Sequence, residues 1–249
     1  MTDRITFIML TWNRKKFVEE FFISFYKNIS NDIPYEFLIV DNGSSDGTKS
    51  LLREVAKKDK NIKLSLKWFN KGLERYKTLM KKAKYDYIII VDDDIIELPH
   101  FFDKKLLYSI KKAPSFGFIA LDVVQDQFTD GAKPDPHNYK DIHIEDFILQ
   151  EGPAGGWFSI LRKKDYNCLQ KDFNKNSLSF TNGEDGSLTR LLKNKLNLKS
   201  GILKGEKCLH ASGPYYSLKY GYIERDIQKY KKSGLMDYVE KYEKFKHKF

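Results

Sequence analysis

Apolar runs alternate with amphipathic stretches through the first hundred residues. Ile5 to Leu10 reads as a strand, and Phe17 to Tyr26 carries Phe17, Phe21, Phe22 and Phe25 at helical spacing. A second run, Tyr35 to Val40, is followed by a helical pattern through Leu51, Leu52 and Val55. A third, Ile62 to Phe69, intersperses Lys63 and Lys67 and so predicts a more exposed strand. The pattern Leu73 to Lys84 predicts a helix leading into Tyr87-Ile88-Ile89-Ile90-Val91, a short β-branched run of the kind buried on both faces. Strand–helix alternation of this kind predicts an α/β fold with a mostly parallel, doubly wound, Rossmann-like sheet and right-handed crossovers. Polar turns follow the strands at Thr11, Asp41, Asn70 and Asp92, so they converge on the carboxyl edge of the sheet, where open α/β sheets bind ligands.

The second half is less regular. Pro99 to Lys112 predicts a helix, and Phe116 to Val124 and Phe158 to Leu161 predict strands. Asp126 to Asp141 is rich in Asp, Pro, Gly and Asn and reads as a surface loop. Gly183-Glu184-Asp185-Gly186 opens an apolar-periodic helix from Leu188 to Leu192. From Tyr222 onward Lys, Glu and Tyr dominate, as in exposed helices with a basic face. There is no internal repeat or low-complexity linker, which predicts one domain over residues 1–220 and a basic helical tail over 221–249.

Chemistry concentrates where the fourth strand ends in Asp92-Asp93-Asp94. Three adjacent carboxylates repel one another and demand a cation. A divalent ion with oxygen ligands answers that demand and commonly also holds substrate phosphates, whereas a solvated acidic turn is the plain alternative. The chain has 249 residues, 41% hydrophobic and 14% aromatic, enough for a real core. With 44 basic and 34 acidic side chains its net charge is +10, favouring polyanionic partners such as nucleotides, nucleic acid or anionic membranes. Cys168 and Cys208 have no metal spacing and fit a reducing compartment. No stretch approaches a membrane span and the N-terminus lacks the apolar region of a signal peptide, so the expected location is cytoplasmic.

Thr11-Trp12-Asn13-Arg14, Asp41 to Thr48, Asn70-Lys71-Gly72 and Asp92-Asp93-Asp94, in that order, resemble the family 2 glycosyltransferases of the GT-A fold. Gly155-Gly156-Trp157 and Gly183-Glu184-Asp185 resemble the acceptor-side motifs of inverting GT-A enzymes, and the likeness covers roughly residues 4 to 210. The resemblance implies a metal-assisted transfer from a nucleotide-sugar donor, UDP-linked above all, to a glycan, lipid-linked or protein acceptor. It implies that Thr11, Trp12, Asn13 and Arg14 line the nucleotide pocket, that Asp41 meets the base, and that Gly72 and Arg75 lie near base or diphosphate. The Ala-Arg-Asn triplet usual after that glycine is absent, and only Arg75 remains. Asp92 and Asp93 would contact ribose and help the metal, and Asp94 would ligate Mn²⁺ or Mg²⁺. Asp185 would be the general base, with Glu184 beside it holding the acceptor. Gly155 and Gly156 would let backbone approach the sugar, and Trp157 either packs on a sugar ring or is a core aromatic. Glu184 and Asp185 would equally suit a helix N-terminus as dipole-favoured caps.

His210 follows Asp185 by 25 positions, and some GT-A enzymes place a metal-binding histidine at a similar distance. It is either a ligand or a loop histidine with its own hydrogen bonds. Two other functions compete. A sugar nucleotidyltransferase on the same fold needs a glycine-rich phosphate loop after the first strand, and Thr11 to Arg14 contains no glycine. A non-enzymatic polyanion-binding protein would use Tyr220, Tyr222, Tyr230, Tyr238 and Tyr242 among the tail lysines to stack bases. The tail is equally a peripheral contact for an anionic inner membrane face, and no nucleic-acid partner is expected.

Overall fold

A computed structural model describes residues 3–129 and 133–247. The first half runs β1 (Ile5–Thr11), α1 (Lys15–Asn28), β2 (Tyr35–Asp41), α2 (Thr48–Lys58), β3 (Ile62–Leu66), α3 (Arg75–Lys82) and β4 (Tyr87–Val91). It continues through β5 (Ile95–Glu97), α4 (Phe102–Lys112), β6 (Phe116–Val123), β7 (Lys140–Ile144), β8 (Phe147–Glu151), β9 (Phe158–Arg162), α5 (Lys163–Lys175), α6 (Glu184–Leu196) and β10 (Lys199–His210). Helices α7 (Pro214–Lys219), α8 (Ile223–Lys232) and α9 (Met236–Lys246) close the described chain.

The sheet order is β3-β2-β1-β4-β9-β6-β10-β8-β7, with β5 paired to the end of β10. The strands β3, β2, β1 and β4 are parallel, as the alternation predicts, and β6 with β10 is parallel as well. Between β4 and β6 lies β9, antiparallel to both. Period-2 alternation divides the buried side chains between the two faces. Phe7, Met9, Ile89 and Val91 join the core under α1 and α4, while Ile8, Ile88 and Ile90 join the core under α3, α5 and α6. Strand β4 is thus covered on both sides, which is why its sequence is apolar without interruption. The α1 face is a cluster of phenylalanines, in which Phe7 meets Phe25 edge-on at 5.3 Å and Phe102 meets Phe158 at 5.1 Å.

Several expectations shift. Strand β3 ends at Leu66, and Trp68 and Phe69 leave the sheet edge with 93% and 57% of their surface exposed. The expected loop 126–141 gives way to β7 at Lys140, paired antiparallel with β8; residues 130–132 of that loop lie outside the described residues. The tail is helical as expected but not simply exposed. Ile223 and Ile227 on α8 and Val239 and Tyr242 on α9 are spaced to form one apolar stripe, and they bury it between the two helices. Tyr222 is buried too, accepting a hydrogen bond from the Lys16 amide at 2.8 Å. Of the tail tyrosines, Tyr230 stacks on Tyr238 and meets Tyr242 edge-on, so the expected row of base-stacking rings is largely spent on packing. Among the described residues no helix is long and apolar enough to cross a membrane.

Candidate active site

The end of β4 is fixed by neighbours on both sides. The Asp92 amide donates to the Trp157 carbonyl at 2.9 Å, so the acidic turn starts against the residue that precedes β9. The chain then doubles back as β5, which pairs with the last residues of β10, and the Ala211 amide donates to the Asp94 carbonyl at 2.8 Å. This short ladder carries His210 to the acids. His210 Nε2 lies 3.0 Å from Asp94 Oδ1 and 3.9 Å from Asp92 Oδ2.

Ligand atoms of Asp92, Asp94 and His210 all fall within 4.8 Å of one another. Two ligands at ~2.1 Å on adjacent corners of an octahedral ion stand ~3 Å apart, which matches the Asp94–His210 spacing. Two carboxylates and one imidazole suit a manganese- or magnesium-like ion. These residues therefore fit a divalent metal. Burial pushes Asp92 up to about 7, against the pull of His210 and with the repulsion of Asp94 and Asp93. Burial also opposes the charge on Asp94, but His210 and Arg14 outweigh it and hold that carboxyl well below its usual range. Burial lowers His210 less than Asp94 and Asp92 raise it, so the imidazole sits above its ordinary value.

The acids border a pocket of about 440 Å³ whose opposite rim is the N-terminus of α6. There Asp185 Oδ2 accepts from the Gly156 amide at 3.0 Å and Oδ1 from the Gly186 amide at 2.6 Å. The side chain is half-buried and aimed across the loop before β9 rather than only capping its own helix. Glu184 is buried, and burial reinforced by Asp185 and Asp92 pushes its carboxyl far up, toward the neutral acid. A Cβ on Gly156 would meet Glu184 Oε1 at 2.9 Å and Asp185 Cβ at 3.4 Å. Gly156→Ala should therefore displace the acid pair and lower turnover on the order of 10²-fold, as misplacements near 1 Å can. Steady-state kinetics on a variant of near-normal melting temperature checks this; full turnover would show that the acids have room.

The other expected residues divide into those on the pocket wall and those behind it. Trp12, Arg14, Gly72, Asp92, Asp93, Asp94, Glu184, Asp185 and His210 line the pocket. Arg14 does so as a structural bridge: its guanidinium donates to Asp94 Oδ2 at 3.0 Å and lies 3.6 Å from Asp226 on α8. Asn13 stands in the left-handed region (φ 51°) and ties two loops together, its side-chain Oδ1 accepting from the Ser45 amide at 2.7 Å. Thr11 and Asp41 are buried behind the wall, and Asp41 Oδ1 accepts from the amides of Gly43 and Ser44 at 3.2 and 3.0 Å. The next residue, Asn42, faces the pocket and clamps Asn70 Oδ1 at 2.7 Å. Arg75 packs over the Phe69 ring at 5.7 Å instead of entering the pocket. Gly155 and Gly156 support the acids from behind. Trp157 is a core residue: its indole N–H donates to the Leu121 carbonyl at 2.9 Å and 5% of its surface is exposed, so it offers no sugar-stacking face.

The sequence reading missed the contribution of α8. Arg225 donates to the Trp12 carbonyl at 2.7 Å and to Asp226 at 2.6 Å, and Lys229 points into the pocket near the Phe180 ring, 4.3 Å from its centroid. The i, i+4 spacing of Ile223 and Ile227 was the available signal that this helix has a buried side.

Residues 6–169 match the family model of Glycosyl transferase family 2. An uncharacterized glycosyltransferase of Mycoplasma genitalium is 29% identical over 115 residues, 44% of this chain and 36% of its own length. The chain thus spans about a third of that curated relative in the matching region. Among solved structures, the mannosyltransferase PcManGT of Pyrobaculum calidifontis, in complex with GDP-Man and Mn²⁺, superposes with a TM-score of 0.63 at 18% identity, covering 92% of this chain and 61% of that one. S. aureus TarS 1-349 in complex with UDP-GlcNAc gives a TM-score of 0.59 at 17% identity, covering 86% of this chain and 60% of that one. At these identities the likeness is one of fold.

Proposed function

The chain belongs to glycosyl transferase family 2, and from that premise we propose that it transfers a hexosyl group from a nucleoside-diphosphate sugar, UDP-linked, to an acceptor hydroxyl with inversion. The observation that carries this reading is one pocket holding the Asp92–Asp94–His210 cluster on one rim and a braced Asp185 on the other. Asp185 takes the acceptor proton as the acceptor oxygen bonds to the anomeric carbon. The bond from that carbon to the phosphate oxygen breaks from the opposite face, and the electron pair leaves with the nucleoside diphosphate. General-base help of this kind contributes ~10²–10⁴-fold. Glu184, held toward its neutral form, donates a hydrogen bond to the acceptor beside Asp185. Mn²⁺ or Mg²⁺, held by Asp92, Asp94 and His210, supplies charge compensation for the departing diphosphate when bound.

Trp12, Asn42 and Gly72 form the nucleoside end of the pocket, and Arg225 and Lys229 give it positive charge from α8. Residues 1–220 make the catalytic domain on this reading, and the basic helices from 221 finish its wall. Their outward lysines meet the anionic inner face of a membrane from the cytoplasm, with a glycan, lipid-linked or protein acceptor.

Thermal-shift titration with UDP, GDP and CDP, with and without Mn²⁺, tests the reading, because ligand binding to the folded state raises the melting temperature by linkage. A manganese-dependent shift that ranks UDP first is expected; no shift with any nucleotide would overturn it.

Lys229 makes a further prediction. Burial, with help from Arg14, pushes its amine down to about 8, so its charge is present below that pH and lost above it. Affinity for UDP with Mg²⁺, measured calorimetrically, should fall as pH rises from 7 to 9. Lys229→Met should weaken binding about tenfold at pH 7, the scale of one charge-assisted contact of about 1.5 kcal/mol, and should flatten the pH dependence. Equal pH profiles in both proteins would place the diphosphate elsewhere.

A further inference from the structure

With Trp157 in the core, the acceptor side of the pocket needs another apolar surface, and Phe180 supplies one. Of the Phe, Tyr and Trp residues that line the pocket, Phe17, Tyr76 and Tyr242 are buried, Tyr230 is half-buried and packed against Tyr238 and Tyr242, and Trp12 lies under Arg225, whereas Phe180 keeps 50% of its surface open. It stands five positions before Asp185, on the same rim.

Its exposure is not that of a loose loop. Ser179 and Asn182 exchange both backbone hydrogen bonds at 3.1 Å, making a two-residue tip of Phe180 and Thr181. The segment is pinned to α3's leading turn by the Leu178 amide, which donates to Glu74 Oε1 at 2.7 Å. It is pinned to α6 through Asn182, whose side chain donates to the Ser177 carbonyl at 2.7 Å and accepts from Arg190 at 3.0 Å. Leu178 is buried in the core under α6. Such bracing fixes the turn that carries the ring before any ligand arrives, so little backbone freedom is lost on stacking. Lys229 on α8 stands over one side of the ring, 4.3 Å from its centroid. An open aromatic ring on a braced turn, lining the same pocket as a carboxylate able to take a hydroxyl proton, has the form of a carbohydrate subsite: the axial C–H face of a pyranose covers the ring while its hydroxyl edge turns to the acid.

We propose that Phe180 is the stacking platform for the acceptor and that the acceptor presents a pyranose ring, not an acyclic polyol or a protein side chain, to Asp185. The proposal rests on the glycosyltransferase reading and specifies its acceptor class.

Saturation-transfer NMR on the protein loaded with UDP and Mg²⁺ tests it, the probes being the methyl pyranosides of glucose, galactose, mannose and N-acetylglucosamine, with glycerol as the acyclic comparison. At least one pyranoside should receive saturation, strongest on the protons of one ring face, and glycerol should not. Phe180→Ala should lower that signal at least tenfold, and Phe180→Trp should restore it. The alanine variant should still bind UDP, which shows that its pocket is formed, and its loss of pyranoside signal should exceed its loss of UDP affinity. Saturation of no pyranoside, saturation of glycerol alone, or an undiminished signal in Phe180→Ala would each overturn the proposal. Failure of the parent protein to bind UDP, GDP or CDP would instead overturn the glycosyltransferase reading on which it rests.

Discussion

Asp185→Asn should abolish sugar transfer, by ~10²–10⁴-fold in turnover, the range removed with a general base, while nucleotide binding persists. The carboxylate accepts two amide hydrogens, from Gly156 and Gly186. Asparagine can satisfy one of them with its carbonyl oxygen and must turn its own N–H toward the other, so the variant also loses a hydrogen bond worth about 1 kcal/mol. That small cost separates the two roles the sequence left open. If Asp185 only capped α6, turnover would follow the modest loss of stability and remain near normal at low temperature. Glu184→Gln provides the contrast. Glu184 is already held toward the neutral acid by burial and by Asp185 and Asp92, and glutamine preserves a neutral donor, so the loss should stay within about tenfold. Release of nucleoside diphosphate with acceptor present, measured at matched fractions of folded protein, distinguishes them. Retained turnover in Asp185→Asn would remove it from the chemistry.

Arg14→Ala should produce the largest loss of stability. This buried guanidinium touches Asp94 at 3.0 Å and Asp226 at 3.6 Å and lies over the rings of Phe17 and Tyr222 at 5.0 and 5.8 Å. Burial works against its charge, but Asp226, Asp94 and Asp93 outweigh it and keep it firmly protonated. Removing one member of a buried charge network leaves the others uncompensated, at about 3–5 kcal/mol, which for a chain of this size lowers the melting temperature on the order of 10 °C. Arg14→Lys should recover little, because a single ammonium cannot serve both carboxylates in a planar fork. A melting temperature within about 2 °C of the parent in Arg14→Ala would show that Asp226 and Asp94 find other partners.

The parallel half of the fold was legible because its signals are local: an apolar run without alternation at β4, and turns of Asn, Asp and Gly where each strand ends. The acidic cluster was legible because three adjacent carboxylates at the end of a buried apolar run repel one another, and burial sharpens their need for a counter-charge. Other features depend on tertiary neighbours. Nothing in Gly155-Gly156-Trp157 says which way the indole turns; the Leu121 carbonyl on β6 decides it. Whether Asp41 or Asn42 meets the pocket is a matter of one residue of pleat, and the turn amides of Gly43 and Ser44 hold Asp41 inside. The antiparallel entry of β9 is a topological choice that its five residues, buried throughout, do not encode. The helices of the tail were legible but their buried side was not, because lysines dominate by number while Ile223, Ile227, Val239 and Tyr242 do the packing. Phe180 lies in a segment without periodicity, where only the pairing of Ser179 with Asn182 reveals a fixed shape.

The contact between Trp12 and Arg225 joins residues 213 positions apart. As the chain leaves the ribosome, β1 through β4 are available to pair long before α8 exists, and the loop after β1 receives its cover only after more than two hundred further residues have been added. Closing so long a segment is entropically slow. The parallel strands β1 to β4 can therefore pair well before α8 arrives to complete the pocket wall around them.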